Sequence, residues 1–101
     1  MAKLANQPTR KKELKDASKI PQQYTANTTL YLRNPHVISE RLAIAKGVCE
    51  DCKEPAPFTK CDGDEPFLEV HHIKFLSKGG EDSLENTVAL CPNCHRKRHY
   101  G

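Results

Sequence analysis

Two Cys-x-x-Cys pairs, Cys49/Cys52 and Cys91/Cys94, stand 38 residues apart and constrain this chain more than any other feature. A Cys-x-x-Cys turn aims two sulfurs at one ion, and zinc favours four thiolates in a tetrahedron. The second pair opens a predicted helix, where the positive end of the helix dipole also favours thiolate. The pattern predicts a closed structural zinc site made by Cys49, Cys52, Cys91 and Cys94. Two redox dithiols are the rival reading, but neither pair follows a strand in a βαβ unit. Cys61 is unpaired and reads as a spare loop thiol. A chain of 101 residues allows one domain, and with 37% hydrophobic residues its core is thin enough to need such a staple. No run of 18 apolar residues exists, and the start (MAKLANQPTRKKELK) lacks the apolar stretch of a secretion signal. The expected location is therefore the cytoplasm, where paired cysteines bind metal rather than form disulfides.

Charge divides the chain. Residues 1–46 hold nine Lys/Arg against three acidic residues, a balance of +6, and residues 47–101 hold seven against ten, a balance of −3. The basic part suits a polyanion and the acidic part, with all the cysteines, suits cations. Residues 1–22 read as a flexible, partly helical arm with little periodicity. Asn34-Pro35 then starts a helix over 35–46: Ile38, Leu42 and Ala45 share a face, and Gly47 stops it. Residues 53–66, with three Pro and a Gly, read as loop. Phe67–Ile73 alternates as a strand, with Leu68, Val70 and His72 on one face and His71 on the other. Residues 78–82 turn, Thr87–Leu90 is a second strand, and Pro92 opens a helix to about residue 100.

Four histidines fall within 29 residues: His71 and His72 in tandem, and His95 and His99 four apart. On a helix His95 and His99 share a face, while Cys94 is turned away by roughly 100°. One helix can thus offer cysteines to one ion and imidazoles to another. Three nitrogens, from His71, His95 and His99, leave open positions for water and phosphate on a divalent cation. His72 projects to the opposite face and is free to act as a base. A competing arrangement, in which His95 or His99 replaces a Cys in the zinc site, is disfavoured because four Cys are already present.

With these residues in place, 49–101 resembles the HNH endonucleases with a ββα-metal (treble-clef, His-Me finger) core. It is most similar to the McrA-like branch that brackets the motif with two Cys-x-x-Cys pairs. The match runs through Cys49-x2-Cys52, Leu68-Glu-Val-His71-His72-Ile73, Gly79-Gly80-x-Asp82, Asn86 and Leu90-Cys91-x2-Cys94-His95-x3-His99. It covers about half the chain. The resemblance implies a small α+β nuclease core; together with the charge pattern, the expected organisation is a basic arm over 1–30, then a nuclease domain over 31–101. It implies His71 and His95 as ligands of a catalytic cation (Mg, Mn, Ni or Zn), with His99 a ligand in some branches. It implies His72 as general base, and Asn86 as the residue whose amide ties the loop that orients His72. Phe75 stands where many relatives have Pro, a departure expected to alter the loop alone. The implied activity is metal-dependent hydrolysis of DNA. Basic charge, rather than the resemblance, offers Arg10, Lys11, Lys12, Lys15, Lys19, Arg96 and Arg98 as phosphate contacts. A homodimer, or a separate specificity or packaging protein, is compatible with so small a domain; a membrane is not. The alternatives are a non-catalytic DNA-binding zinc module and a protein-interaction zinc domain, neither of which needs His71, His72 and Asn86 together.

Overall fold

The computed structural model describes residues 6–101, so the first five positions of the expected arm lie outside the described residues. Helix α1 (Gln7–Asp16) starts where the Asn6 side chain accepts from the Thr9 N–H at 3.1 Å, with Pro8 in the first turn. It buries no residue. Residues 17–33 follow without regular structure and are exposed throughout.

Helix α2 (Pro35–Ala45) begins as its sequence predicts, with Asn34 accepting from the His36 N–H at 2.9 Å. It stops one residue earlier than expected. Lys46 (φ 53°) is already left-handed, and Gly47 (φ 78°) continues the reversal. Its inner face carries Ile38, Leu42 and Ala45 together with a residue the pattern does not flag, Arg41. The Arg41 guanidinium donates to the Leu84 carbonyl (2.7 Å) and to Glu50 (3.4 Å), while Glu50 accepts from the Ala89 N–H (2.7 Å). One arginine thereby fastens α2 to the strand beneath it.

Residues 53–66 are more ordered than a loop reading suggests. Isolated bridges join Val48 to Pro55 and Thr59 to Pro66, and Phe58 stacks on Phe67 with centroids 4.8 Å apart. Strand β1 (Glu69–His72) is shorter than the predicted 67–73. It pairs antiparallel with β2 (Thr87–Leu90), setting His71 opposite Val88 and His72 opposite Thr87. Helix α3 (Pro92–Tyr100) closes the chain. The buried apolar core is small: Cys49, Leu68, Ala89 and Leu90, against which Leu42, Ala45, Val88 and Cys94 pack. Among the described residues, no helix is long and apolar enough to cross a membrane.

The connection between the strands holds a 3-10 turn (Leu76–Lys78) that ends at Gly79 (φ 83°). Gly80 lies so close beneath the chain that a Cβ there would strike the Lys74 carbonyl oxygen. This yields an ordered series. Gly63→Ala, in open space, should change stability by less than about 0.5 kcal/mol. Gly79→Ala should cost about 1 kcal/mol through its positive φ alone. Gly80→Ala, which must move backbone, should cost about 2 kcal/mol or more. Thermal or urea unfolding of the zinc-loaded variants checks the order.

Candidate active site

The first cluster joins the turn after α2 to the start of α3. In that turn the Cys49 N–H donates to the Glu54 carbonyl (2.9 Å) and the Lys53 N–H to the Cys49 carbonyl (3.0 Å), with Lys53 left-handed at φ 65°. Cys91 is the N-cap of α3 and Cys94 lies in its first turn. The four sulfurs lie within 4.8 Å of one another, and thiolates on one tetrahedral zinc stand roughly 3.8 Å apart. Burial opposes ionisation of Cys49, but hydrogen bonds from the backbone of Cys91, Cys52 and Asp51 outweigh it and bring the thiol to about 6. Cys94 is pushed up to about 12, first by its contact with Cys91 and then by burial. Four crowded thiols ionise together only around a cation, so the donor set fits zinc. Beside it, Asp51 receives two hydrogen bonds from Arg98 at 2.6 and 2.8 Å. The guanidinium of Arg98 is paired with Asp51, and both Arg98 and Arg96 are exposed.

The second cluster lies between β1 and α3. Alternation along β1 sends Glu69 and His71 toward α3, and helical spacing brings His95 and His99 to meet them. Imidazole nitrogens of His71, His95 and His99 lie within 4.8 Å of one another. His95 Nδ1 and Glu69 Oε1 are 3.0 Å apart, and a carboxylate only accepts, so Nδ1 carries the proton and Nε2 offers its lone pair to the cluster. His99 Nε2 lies 3.1 Å from that Nε2. Burial, then the neighbouring His95 and His99, lowers His71 to about 4, so it is a neutral imidazole at neutral pH. Three clustered imidazoles, His71 neutral and a carboxylate behind His95, suit a divalent cation. Phe75 is part of this wall. It stacks on His99 (5.1 Å) and meets His71 edge-on (5.8 Å), so its effect extends beyond the loop.

His72 lies on the other face of β1, 8% exposed, and takes no part in the second cluster. Its Nε2 is 2.9 Å from Asp82 Oδ1, while Asp82 Oδ2 accepts from the Asn34 N–H at 2.6 Å. Asn86 pins the loop on both sides. Its Oδ1 accepts from the Lys74 N–H (2.8 Å), and its Nδ2 donates to the carbonyls of Lys74 (3.0 Å) and Glu81 (2.7 Å). His71, His72, His95 and His99 all line one cleft of about 290 Å³, together with Phe75, Tyr31 and Arg33. Sequence reasoning assigned no part to Glu69, Asp82, Tyr31 or Arg33. Glu69 was accessible from the two-residue period of β1, two positions before His71. Tyr31 and Arg33 reach the cleft, and Asp82 reaches His72, through loop closure, which leaves no periodic trace.

The HNH endonuclease family model matches residues 49–101, slightly more than half of the chain. Over 85 residues the chain is 47% identical to the Type IV methyl-directed restriction enzyme EcoKMcrA of Escherichia coli, covering 84% of this chain and 30% of that protein. Over 31 residues it is 45% identical to anaredoxin of Nostoc sp., covering 31% of this chain and 41% of that one. Among solved structures, the Type IV phosphorothioation-dependent restriction endonuclease ScoMcrA superposes with a TM-score of 0.60 at 38% identity, over 70% of this chain and 14% of that chain. The chain thus spans less than half the length of each of these relatives. The two Cys-x-x-Cys pairs, the β1–β2 hairpin and the closing helix form the small α+β core that the resemblance implies, and the chain belongs to the HNH endonuclease family.

Proposed function

We propose that this chain is a metal-dependent endonuclease domain that hydrolyses DNA phosphodiesters, with His72 as general base. One observation carries the reading: a buried, unligated histidine shares a cleft with a separate cluster of three imidazoles. A non-catalytic zinc module needs only the four cysteines and gives no reason for that second cluster. Similarity to restriction enzymes favours DNA as the substrate.

His71, His95 and His99 would hold the catalytic cation, Mg, Mn, Ni or Zn, and Cys49, Cys52, Cys91 and Cys94 the structural zinc. When bound, the catalytic cation supplies charge neutralisation at the phosphate and the leaving oxygen. The chain's own residues do the rest. His72 takes a proton from water as the water oxygen bonds to phosphorus, because imidazole exchanges protons near neutral pH. The bond from phosphorus to O3′ breaks and O3′ takes a proton from solvent, leaving 5′-phosphate and 3′-hydroxyl ends. Asn86 holds the loop, and Arg33 at the cleft wall meets a phosphate. Residues 1–30 act as a DNA-binding arm beside a nuclease domain over 31–101. Arg10, Lys11, Lys12 and Lys15 on α1, with Lys19 beyond it, are exposed and supply its phosphate contacts, and Arg96 adds one from α3.

Three outcomes test this reading. Structural zinc contributes on the order of 10 kcal/mol in small domains, so Cys49→Ser or Cys94→Ser should unfold residues 47–101. Metal analysis should find one tightly held zinc per chain; a folded, zinc-free protein in reducing buffer would contradict it. His72→Ala should keep zinc, fold and DNA affinity yet lose plasmid cleavage by roughly 10²–10⁴-fold. Cutting at the native rate would return the reading to a non-catalytic zinc module. Deleting residues 1–20 should weaken DNA binding and flatten log affinity against log salt, by about 0.9 for each phosphate the arm no longer neutralises. An unchanged slope would remove the arm from the interface.

A further inference from the structure

We propose that Asp82 is a positioning residue for His72: its carboxylate fixes the imidazole as the Nε2–H tautomer and leaves Nδ1 as the nitrogen that receives the proton. The inference rests on the nuclease reading and deepens it by naming the reacting atom. Asp82 faces two groups at once, His72 Nε2 at 2.9 Å and the Asn34 N–H at 2.6 Å, one on each oxygen. The hydrogen bond with His72, followed by that from Asn34, holds the Asp82 carboxyl below the usual carboxylate range. An ionised carboxylate has no proton to give, so Nε2 must be the donor, and in the neutral ring that a general base requires Nδ1 carries the free lone pair. His72 lines the cleft, and no buried side-chain nitrogen among the described residues lacks a partner. Nδ1, which has no protein partner among those residues, therefore meets the cleft rather than the core.

The clamp ties the base to the entry of the domain. Asn34 caps α2 with its side chain while its backbone N–H orients Asp82. The position of the first turn of α2 thus sets the ring of His72 through a single carboxylate.

Asp82→Asn separates this role from simple support of the loop. The Asn34 N–H can only donate, so the amide oxygen must stay on it. The amide NH₂ then faces His72 Nε2, which must accept, and the ring proton moves to Nδ1. The isosteric variant therefore blocks the reacting nitrogen. Asp82→Ala leaves Nε2 to water and imposes no tautomer. We expect kcat to fall about 10²-fold or more in Asp82→Asn and by less in Asp82→Ala, with zinc content and DNA affinity unchanged. A structural role predicts the reverse order, since Asn preserves shape and Ala does not. Imidazole 15N–1H correlation spectra of the zinc-loaded full chain, without DNA or a second metal, should show His72 as Nε2–H in the native protein and Nδ1–H in Asp82→Asn. An Nδ1–H signal in the native protein, or Asp82→Ala slower than Asp82→Asn, overturns the inference. Native protein that cuts no DNA overturns the nuclease reading instead, and the spectra still decide the tautomer.

Discussion

The tetrad of cysteines is the constraint on which the rest depends. Among the described residues four apolar side chains are buried, and one of them, Cys49, is itself a member of the tetrad. At about 25 cal/mol per Å² of apolar surface, so few side chains contribute little against the entropy of ordering the chain. A cation held by Cys49, Cys52, Cys91 and Cys94 would join the turn after α2 to the first turn of α3 and close a loop that contains both strands. The Arg98–Asp51 pair spans the same junction from outside, and Arg41–Glu50 ties α2 to the turn, whose Glu50 also accepts from Ala89 in β2. Polar contacts and the cysteine tetrad therefore hold positions that hydrophobic packing holds in a larger domain.

Helix α3 shows what this economy permits. Its first turn presents Cys94 to one cluster, and residues one and five positions later present His95 and His99 to the other. The two clusters need opposite environments. Sulfurs in a closed site take up every coordination position, whereas imidazoles beside an open cleft leave some free for solvent and phosphate. A single helix separates them by about 100° of rotation per residue, so whatever fixes α3 for the first cluster also aims the second. Fixing a reactive constellation on regular elements rather than on loops is what gives it precision.

Much of this was legible beforehand, for identifiable reasons. The Asn34-Pro35 start of α2, the strand Thr87–Leu90 and the helix from Pro92 are read from caps and periodicity, which act over a few residues. The tandem His71-His72 is legible because alternation on a strand sends neighbours to opposite faces. The rest turns on contacts distant in sequence. Arg41 looks like a solvent-facing charge until Leu84, 43 positions on, supplies its carbonyl. Phe58 and Phe67 stack across a stretch whose prolines read as loop. Lys46 ends α2 before Gly47 because a left-handed C-cap needs only one residue willing to adopt positive φ, and here it is a lysine.

Asp82 and Asn86 illustrate how a loop can be as exact as a strand. The connection from β1 to β2 has a 3-10 turn, two adjacent glycines and little apolar anchoring. Asn86 makes three hydrogen bonds across it, which pin both its ends to one side chain at the root of β2. The loop then has few ways to move Asp82 relative to His72, because Asp82 lies between the Glu81 carbonyl that Asn86 holds and the Asn34 N–H that α2 presents. No hydrogen bond joins Asn86 to His72 among the described residues; Asn86 secures the backbone at Lys74 and Glu81 instead. The two side chains thus divide one task, Asn86 holding the path of the chain and Asp82 holding the orientation of the ring.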